Sequence, residues 1–242
     1  MDTINAALDN KNALLKEIVA KNYKAAEIFE KYGIDFCCNG NRPLDQACTE
    51  KNVSVEEILN KLDALNNTPA PPEKYELWTL SYLIDHIINN HHNYIQDMVP
   101  IIKEHLNKVT GKHSARHNEL VRINELFTDL SNELLLHLKK EERILFPLIK
   151  ELEFVVKANP GRPADLRMNI KGPISMMEME HANAGAIFEE MKKLSDNFTT
   201  PDDGCATYNL TYRELEEFEK DLHKHIFLEN SILFPKAIIM SE

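Results

Sequence analysis

Two stretches of the chain, His137 to Pro147 (HLKKEERILFP) and His225 to Pro235 (HIFLENSILFP), share a His, Glu and Leu-Phe-Pro framework 88 residues apart. Within each copy the His and the Glu are four residues apart, His137 with Glu141 and His225 with Glu229. On a helix, that spacing puts both side chains on one face, with their Cβ atoms about 6 Å apart. Both pairs also fall on an apolar stripe, through Leu134, Leu138 and Leu145 in the first copy and Leu222, Ile226 and Leu233 in the second. A carboxylate on a core-facing stripe costs several kcal/mol unless it has a partner, and a cation is the partner that also accounts for the histidine. The prolines at 147 and 235 are expected to kink or end each helix at the same distance from its His-Glu pair.

A repeat built of helical hairpins needs a second helix in each half. His181 in MMEMEHANAG lies 44 residues before His225, and His92 in IDHIINNHHNY lies 45 before His137. Each hairpin then supplies one His from its first helix and a His and a Glu from its second, with an approximate two-fold axis relating the halves. Periodicity alone leaves His91 and His92 open. Ile87, Tyr94 and Met98 share a face with His91, whereas Ile88, Ile95 and Val99 share one with His92. The second hairpin favours His92, because Met177, Ala184 and Phe188 stand at the same offsets from His181.

Apolar residues recur at three- and four-residue intervals over 77–107, 116–152, 173–196 and 209–239, which predicts four amphipathic helices and a bundle. Gly172 with Pro173 marks the start of the third, and Thr211 with Glu214 reads as a capping box for the fourth. Upstream, KNALLKEIVA, YKAAEIFEKYG closed by Gly33, a piece opened by Pro43, and SVEEILNKLDAL capped by Ser54 and Glu57 read as shorter helices. The Pro- and Asn-rich run NNTPAPPEKY is a linker signal. The expected organisation is therefore a small helical domain over 1–65, a linker over 66–76 and a four-helix bundle over 77–242. Strand signals are scarce and there are only seven glycines, against roughly 17 for average usage. The fold class is all-α, an up-down bundle of two hairpin repeats.

Four imidazoles and two carboxylates exceed the four ligands usual for one zinc ion and suit two metals. With two His on each metal and both Glu bridging, positions stay open for water, an oxo or hydroxo bridge, or a diatomic. Mixed nitrogen and oxygen donors with open positions fit iron best and manganese next. The nitrogen-rich set differs from the carboxylate-rich ferritin-like plan.

These residues resemble the hemerythrin-like di-iron proteins of the repair-of-iron-centres family, over nearly the whole chain. KYGIDFCCNG, with Cys37 and Cys38, is similar to the cysteine-pair signature of that family's small leading domain. Oxygen-carrying hemerythrins have a further His that is missing here at the matching places. The resemblance implies a cytoplasmic stress protein that helps restore iron-sulfur clusters damaged by nitric oxide or peroxide. Its iron ligands would be His92, His137, Glu141, His181, His225 and Glu229. It also suggests Glu180, beside His181, as a carboxylate near the site or along an access path, with an ordinary solvated glutamate as the alternative. Cys37 and Cys38 are candidates for transient iron ligation, nitric oxide acceptance or redox exchange, with buried packing residues as the alternative. Cys48 and Cys205 read as structural, and His86, His105, His113, His117 and His223 as surface or packing residues, since none has a partner in the repeat.

Three functions are compatible with such a site: iron donation to damaged iron-sulfur proteins, reductive coupling of nitric oxide at two ferrous ions, and sensing or carriage of nitric oxide or dioxygen. A purely structural zinc bundle is a fourth. The net charge of −11 and pI near 5.4 disfavour nucleic acid and anionic membranes as partners. No run approaches the ~18 apolar residues a spanning helix needs, so a cytoplasmic protein is expected. A homodimer formed through the leading domain is compatible with this reading.

Overall fold

The computed structural model describes residues 11–37, 39–66, 75–158 and 169–242. The chain divides into two compact units. One comprises Met1–Thr79 with Ile226–Pro235, the other Leu80–His225 with Lys236–Glu242. Among the described residues there is no strand, and the one isolated bridge joins Leu14 and Pro43. Of the expected linker, residues 67–74 lie outside the described residues.

Among its described residues the first unit carries the short helices α1 (Leu15–Lys21), α2 (Ala25–Lys31), α3 (Leu44–Glu50) and α4 (Val55–Asn66). Gly33, at φ +63°, ends α2 in the left-handed conformation. Its N–H bonds the Glu30 carbonyl at 2.9 Å and the Ile34 N–H bonds the Phe29 carbonyl at 2.8 Å, the paired pattern of a Schellman stop. Ser54 caps α4, its Oγ 3.3 Å from the Glu57 N–H. The Glu57 carboxylate does not return the bond, since it accepts the Tyr32 hydroxyl instead. Leu15, Ile18, Phe29, Phe36, Leu44, Ile58 and Leu62 form the core of this unit, and the Phe36 ring lies 6.2 Å from Phe29 and 6.1 Å from Phe227.

Among the described residues four longer rods follow, the first three of them within the second unit. The first runs through α5 (Leu80–Ile87), a π turn over Ile88–His92, and α6 (Asn93–His113). The second runs through α7 (Glu119–Lys140), a π turn over Glu141–Leu145, and α8 (Phe146–Ala158). The third is α9 (Lys171–Leu194). The last comprises α10 (Ala206–Leu228), a π turn over Glu229–Leu233, and α11 (Phe234–Met240). It runs unbroken through the division between the units, so helix geometry alone fixes His225 and Glu229 one turn apart.

Helix α6 packs on α7, and α7 on α9. The interior is filled from each rod at helical spacing: Ile95, Val99, Ile102 and Leu106; Ile123, Phe127, Leu130 and Leu134; Met177, Ala184 and Phe188; Tyr212, Leu215, Phe218 and Leu222. Phe218 gathers Phe127, Phe188 and Tyr94 around it, with ring centroids at 5.6, 6.1 and 6.2 Å. At the other end of the first rod, Glu153 accepts the Leu80 N–H (3.1 Å), the Ser81 N–H (2.9 Å) and the Ser81 hydroxyl (2.6 Å). It caps a helix from 72 residues away in sequence.

Two expectations need correction. Thr211 and Glu214 do not open the fourth helix, which starts at Ala206. Thr211 is interior, its hydroxyl bonded back to the Thr207 carbonyl at 2.7 Å, and Glu214 pairs with His105 at 2.7 Å. Nor do Pro147 and Pro235 end their helices. Each follows a π turn in which the Phe146 N–H reaches back five residues to the Glu141 carbonyl, and the Phe234 N–H to that of Glu229. The ladder thus changes register just before the residue that cannot donate, and the wider turn accommodates the ring that would clash in an α-helix. Among the described residues, no helix is long and apolar enough to cross a membrane.

Candidate metal centre

Three of the four rods change register beside a residue of the His/Glu set. His92 is the last residue of the first π turn, and Glu141 and Glu229 open the other two. Insertions of this kind re-aim side chains and occur often at functional sites. The six residues form two groups, His92, Glu141, His225 and Glu229, and His137, Glu141, His181 and Glu229. Within each group the donor atoms all lie within 4.8 Å of one another and every residue is buried. The two carboxylates belong to both groups.

The imidazoles are paired. His92 Nε2 lies 3.2 Å from His225 Nε2, and His181 Nε2 lies 3.0 Å from His137 Nε2. Between the pairs, Glu141 directs Oε2 to His92 Nε2 at 3.5 Å and Oε1 to His137 Nε2 at 3.4 Å. Neither oxygen of this fully buried carboxylate has a hydrogen bond. A buried anion without a hydrogen bond is costly, and two facing Nε2 atoms are tolerable only with a proton or a cation between them. A metal resolves both conflicts. Two nitrogens bound to one ion at right angles, each at about 2.1 Å, stand about 3 Å apart, which is the spacing of both pairs. The donor set therefore fits a metal.

Burial, reinforced by His91, His181 and His137, holds the His225 imidazole well below its ordinary value against the pull of Glu141. That leaves it neutral, the form that ligates. The outer nitrogens are held by carboxylates. His92 Nδ1 lies 2.9 Å from Glu142 Oε1, and His137 Nδ1 2.8 Å from Glu180 Oε2. Such partners fix the tautomer and aim the inner nitrogen at the site. Burial raises the Glu180 carboxyl, but bonds from Lys140 and His137 outweigh it, so the group stays ionised below its ordinary range. His91 is also buried, yet it turns aside, with Nδ1 2.9 Å from Asp221 and its ring stacked 6.0 Å from that of His225.

A pocket of about 350 Å³ is lined by Glu133, Leu136, Lys140, Glu180, His137 and His181, among others. Glu133 and Leu136 are exposed while both histidines are buried, so the pocket leads from the surface to one imidazole pair.

Comparison with known proteins agrees with this geometry. Residues 83–237 match the model of the hemerythrin HHE cation binding domain. The chain belongs to the hemerythrin HHE family. Residues 11–66 match a second model, a domain of unknown function designated DUF542. Among curated relatives, the iron-sulfur cluster repair protein YtfE of Enterobacter sp. (strain 638) is 34% identical over 93% of this chain and 96% of its own length. The YtfE protein of Escherichia coli O8 is 33% identical over the same shares. A probable iron-sulfur cluster repair protein of Haemophilus influenzae is 34% identical over 93% of this chain and 96% of its own.

Within this hemerythrin HHE chain the remaining sequence candidates fall as follows. Cys37 is buried in the first unit, its N–H 3.1 Å and its Sγ 3.4 Å from Asp35 Oδ1. Cys38 lies outside the described residues. His105, His117 and His223 each face a carboxylate, at 2.7, 2.8 and 3.9 Å. His86 meets the Asn90 amide at 3.1 Å, and His113 Nε2 lies 3.3 Å from Cys205 Sγ. Sequence reading missed Glu142, Lys140 and Asp221. Glu142 and Lys140 flank Glu141, but only tertiary packing reveals what they touch.

Proposed function

We propose that the chain is a di-iron protein of iron-sulfur cluster repair, with His92, His137, Glu141, His181, His225 and Glu229 as the iron ligands. The observation that carries this reading is the pair of overlapping, buried donor groups that share two carboxylates. The names of relatives that span over nine-tenths of the chain supply the process. Four nitrogens and two shared carboxylates suit iron better than zinc, because they leave positions open at each ion. Iron bound there supplies exchangeable ferrous ions and one-electron chemistry. The chain's own residues hold the imidazoles neutral, aim them inward, and keep the bridging carboxylates out of water. The low anionic count favours the ferrous state, in which iron is more readily released to a client.

The clients are iron-sulfur proteins whose clusters have been damaged, and the setting is the cytoplasm under nitrosative or oxidative stress. Cys37 and Cys38 serve as transient iron or redox groups, and the leading domain mediates any homodimer. The test adds the reduced, iron-loaded protein to an inactivated iron-sulfur enzyme. Recovery beyond that given by an equal amount of free ferrous iron supports the reading, and recovery no greater than that rejects it.

The pocket reaching His137 and His181 favours a second reading, in which nitric oxide enters and is reduced at the same centre. Single-turnover gas analysis separates the two, since only this second activity releases nitrous oxide from the diferrous form.

A further inference from the structure

Adjacent residues on an α-helix point about 100° apart and rarely meet on one small group. Glu141 and Glu142 do so here. Oε2 of Glu141 lies 3.5 Å from Nε2 of His92, and Oε1 of Glu142 lies 2.9 Å from Nδ1 of the same ring. Both carboxylates belong to the π turn Glu141–Leu145, which changes the angle between successive side chains. His92 is completely buried, so the Glu142 bond fixes which nitrogen carries the proton.

The second repeat lacks this device. Glu229 is followed by Asn230, an amide where the first repeat has a carboxylate. The Asn230 amide lies 3.4 Å from the Cys37 carbonyl. The other imidazole pair is held differently. The Glu180 carboxylate on His137 is shared with Lys140, which offsets part of its charge. Among the described residues, no Lys or Arg forms an ion pair with Glu142, and Arg143 beside it acts only at longer range, so His92 is its one ion-pair partner. A carboxylate that no cation shares, placed on the outer nitrogen, makes the inner one a stronger donor than a carboxylate paired with a lysine does.

We infer that Glu142 is the positioning residue of His92, and that it makes the His92–His225 half of the centre chemically distinct from the His137–His181 half. The inference rests on the di-iron reading above. The two ions are then unequal: the one held by His92 and His225 sits against the more basic imidazole, and the one held by His137 and His181 is released first.

The experiment loads the full-length wild type and the variants E142A, E142Q and E180Q anaerobically with iron-57. It counts iron, records Mössbauer spectra, and follows ferrous release to a chelator, with circular dichroism as the folding check. Two doublets of equal area are expected in the wild type. E142A should alter one doublet and weaken retention of one ion about 10- to 100-fold. E142Q, which keeps an acceptor oxygen, should recover part of that loss, and E180Q should alter the other doublet. Spectra and release rates of folded E142A and E142Q that match the wild type, or that change for both ions alike, overturn the inference while leaving the di-iron reading standing. A wild type that takes up no iron overturns both.

Discussion

His92 and His225 face each other Nε2 to Nε2 at 3.2 Å, with both rings fully buried. The arrangement brings together two groups that prefer to be apart unless something positive lies between them. Stability should therefore depend on the ion. Removing metal with a chelator is expected to lower the melting temperature, and adding ferrous iron back to restore it. The gain should grow with the logarithm of free metal concentration, as linkage requires. Scanning calorimetry at several metal concentrations checks this.

Glu141 should reverse its sign with metal. In the metal-free chain its buried carboxylate has no hydrogen bond, so E141Q is expected to stabilise that form by about 1–3 kcal/mol. On the proposed di-iron reading, the same substitution removes from the loaded chain a donor shared by both groups, and bound iron should then fall well below two per chain. Urea titration of the metal-free form and elemental analysis of the loaded form read the two effects separately.

Glu153 ties the start of α5 to α8. Its removal in E153A should cost about 1–2 kcal/mol, the range for a lost helix cap. Burial raises this carboxyl, but the Ser81 hydroxyl, the N–H groups of Ser81 and Leu80, and Lys157 outweigh it and hold the pKa at about 2. A depressed carboxyl stabilises the fold fully above its unfolded pKa and loses that contribution as pH falls toward the folded one. The difference between wild type and E153A should thus be constant near neutrality and shrink between about pH 4.5 and pH 2. Denaturant midpoints across that window test the direction.

Cys205 should be the most reactive of the three described thiols. Backbone N–H groups at the start of α10, that of Tyr208 first, lower its pKa, and it is partly exposed. Cys37 and Cys48 are only 3% and 1% exposed, and burial pushes the Cys48 thiol up. Alkylation near neutral pH, followed by mass mapping, should find Cys205 modified at least about tenfold faster than Cys48, since the thiolate is the reacting species.

Phe218 is completely buried amid three aromatic rings. F218A should destabilise the bundle by about 3–5 kcal/mol through lost contacts and the cavity left behind. Denaturant unfolding of the metal-free protein measures it apart from any effect on the ions.

The linear chain by itself determined the helical class, the four long rods and the identity of the converging residues. Helical periodicity and an i, i+4 pair are local properties, and their recurrence 88 residues on is visible without any fold. Phase across a register change is not local. His91 continues the stripe of Ile84 and Ile87, while His92 leads that of Ile95 and Val99. Both are buried at the end of the π turn Ile88–His92, where the phase of the helix changes, so a constant 3.6-residue period could not choose between them. Thr211 and Glu214 have the spacing of a cap but lie inside a helix that already starts at Ala206. Tertiary structure also decided which histidines the carboxylates of Glu142 and Glu180 support, although the sequence itself already offers Glu180 as a candidate. Their partners lie 50 and 43 residues away, and such contacts depend on how rods pack, which no local pattern encodes.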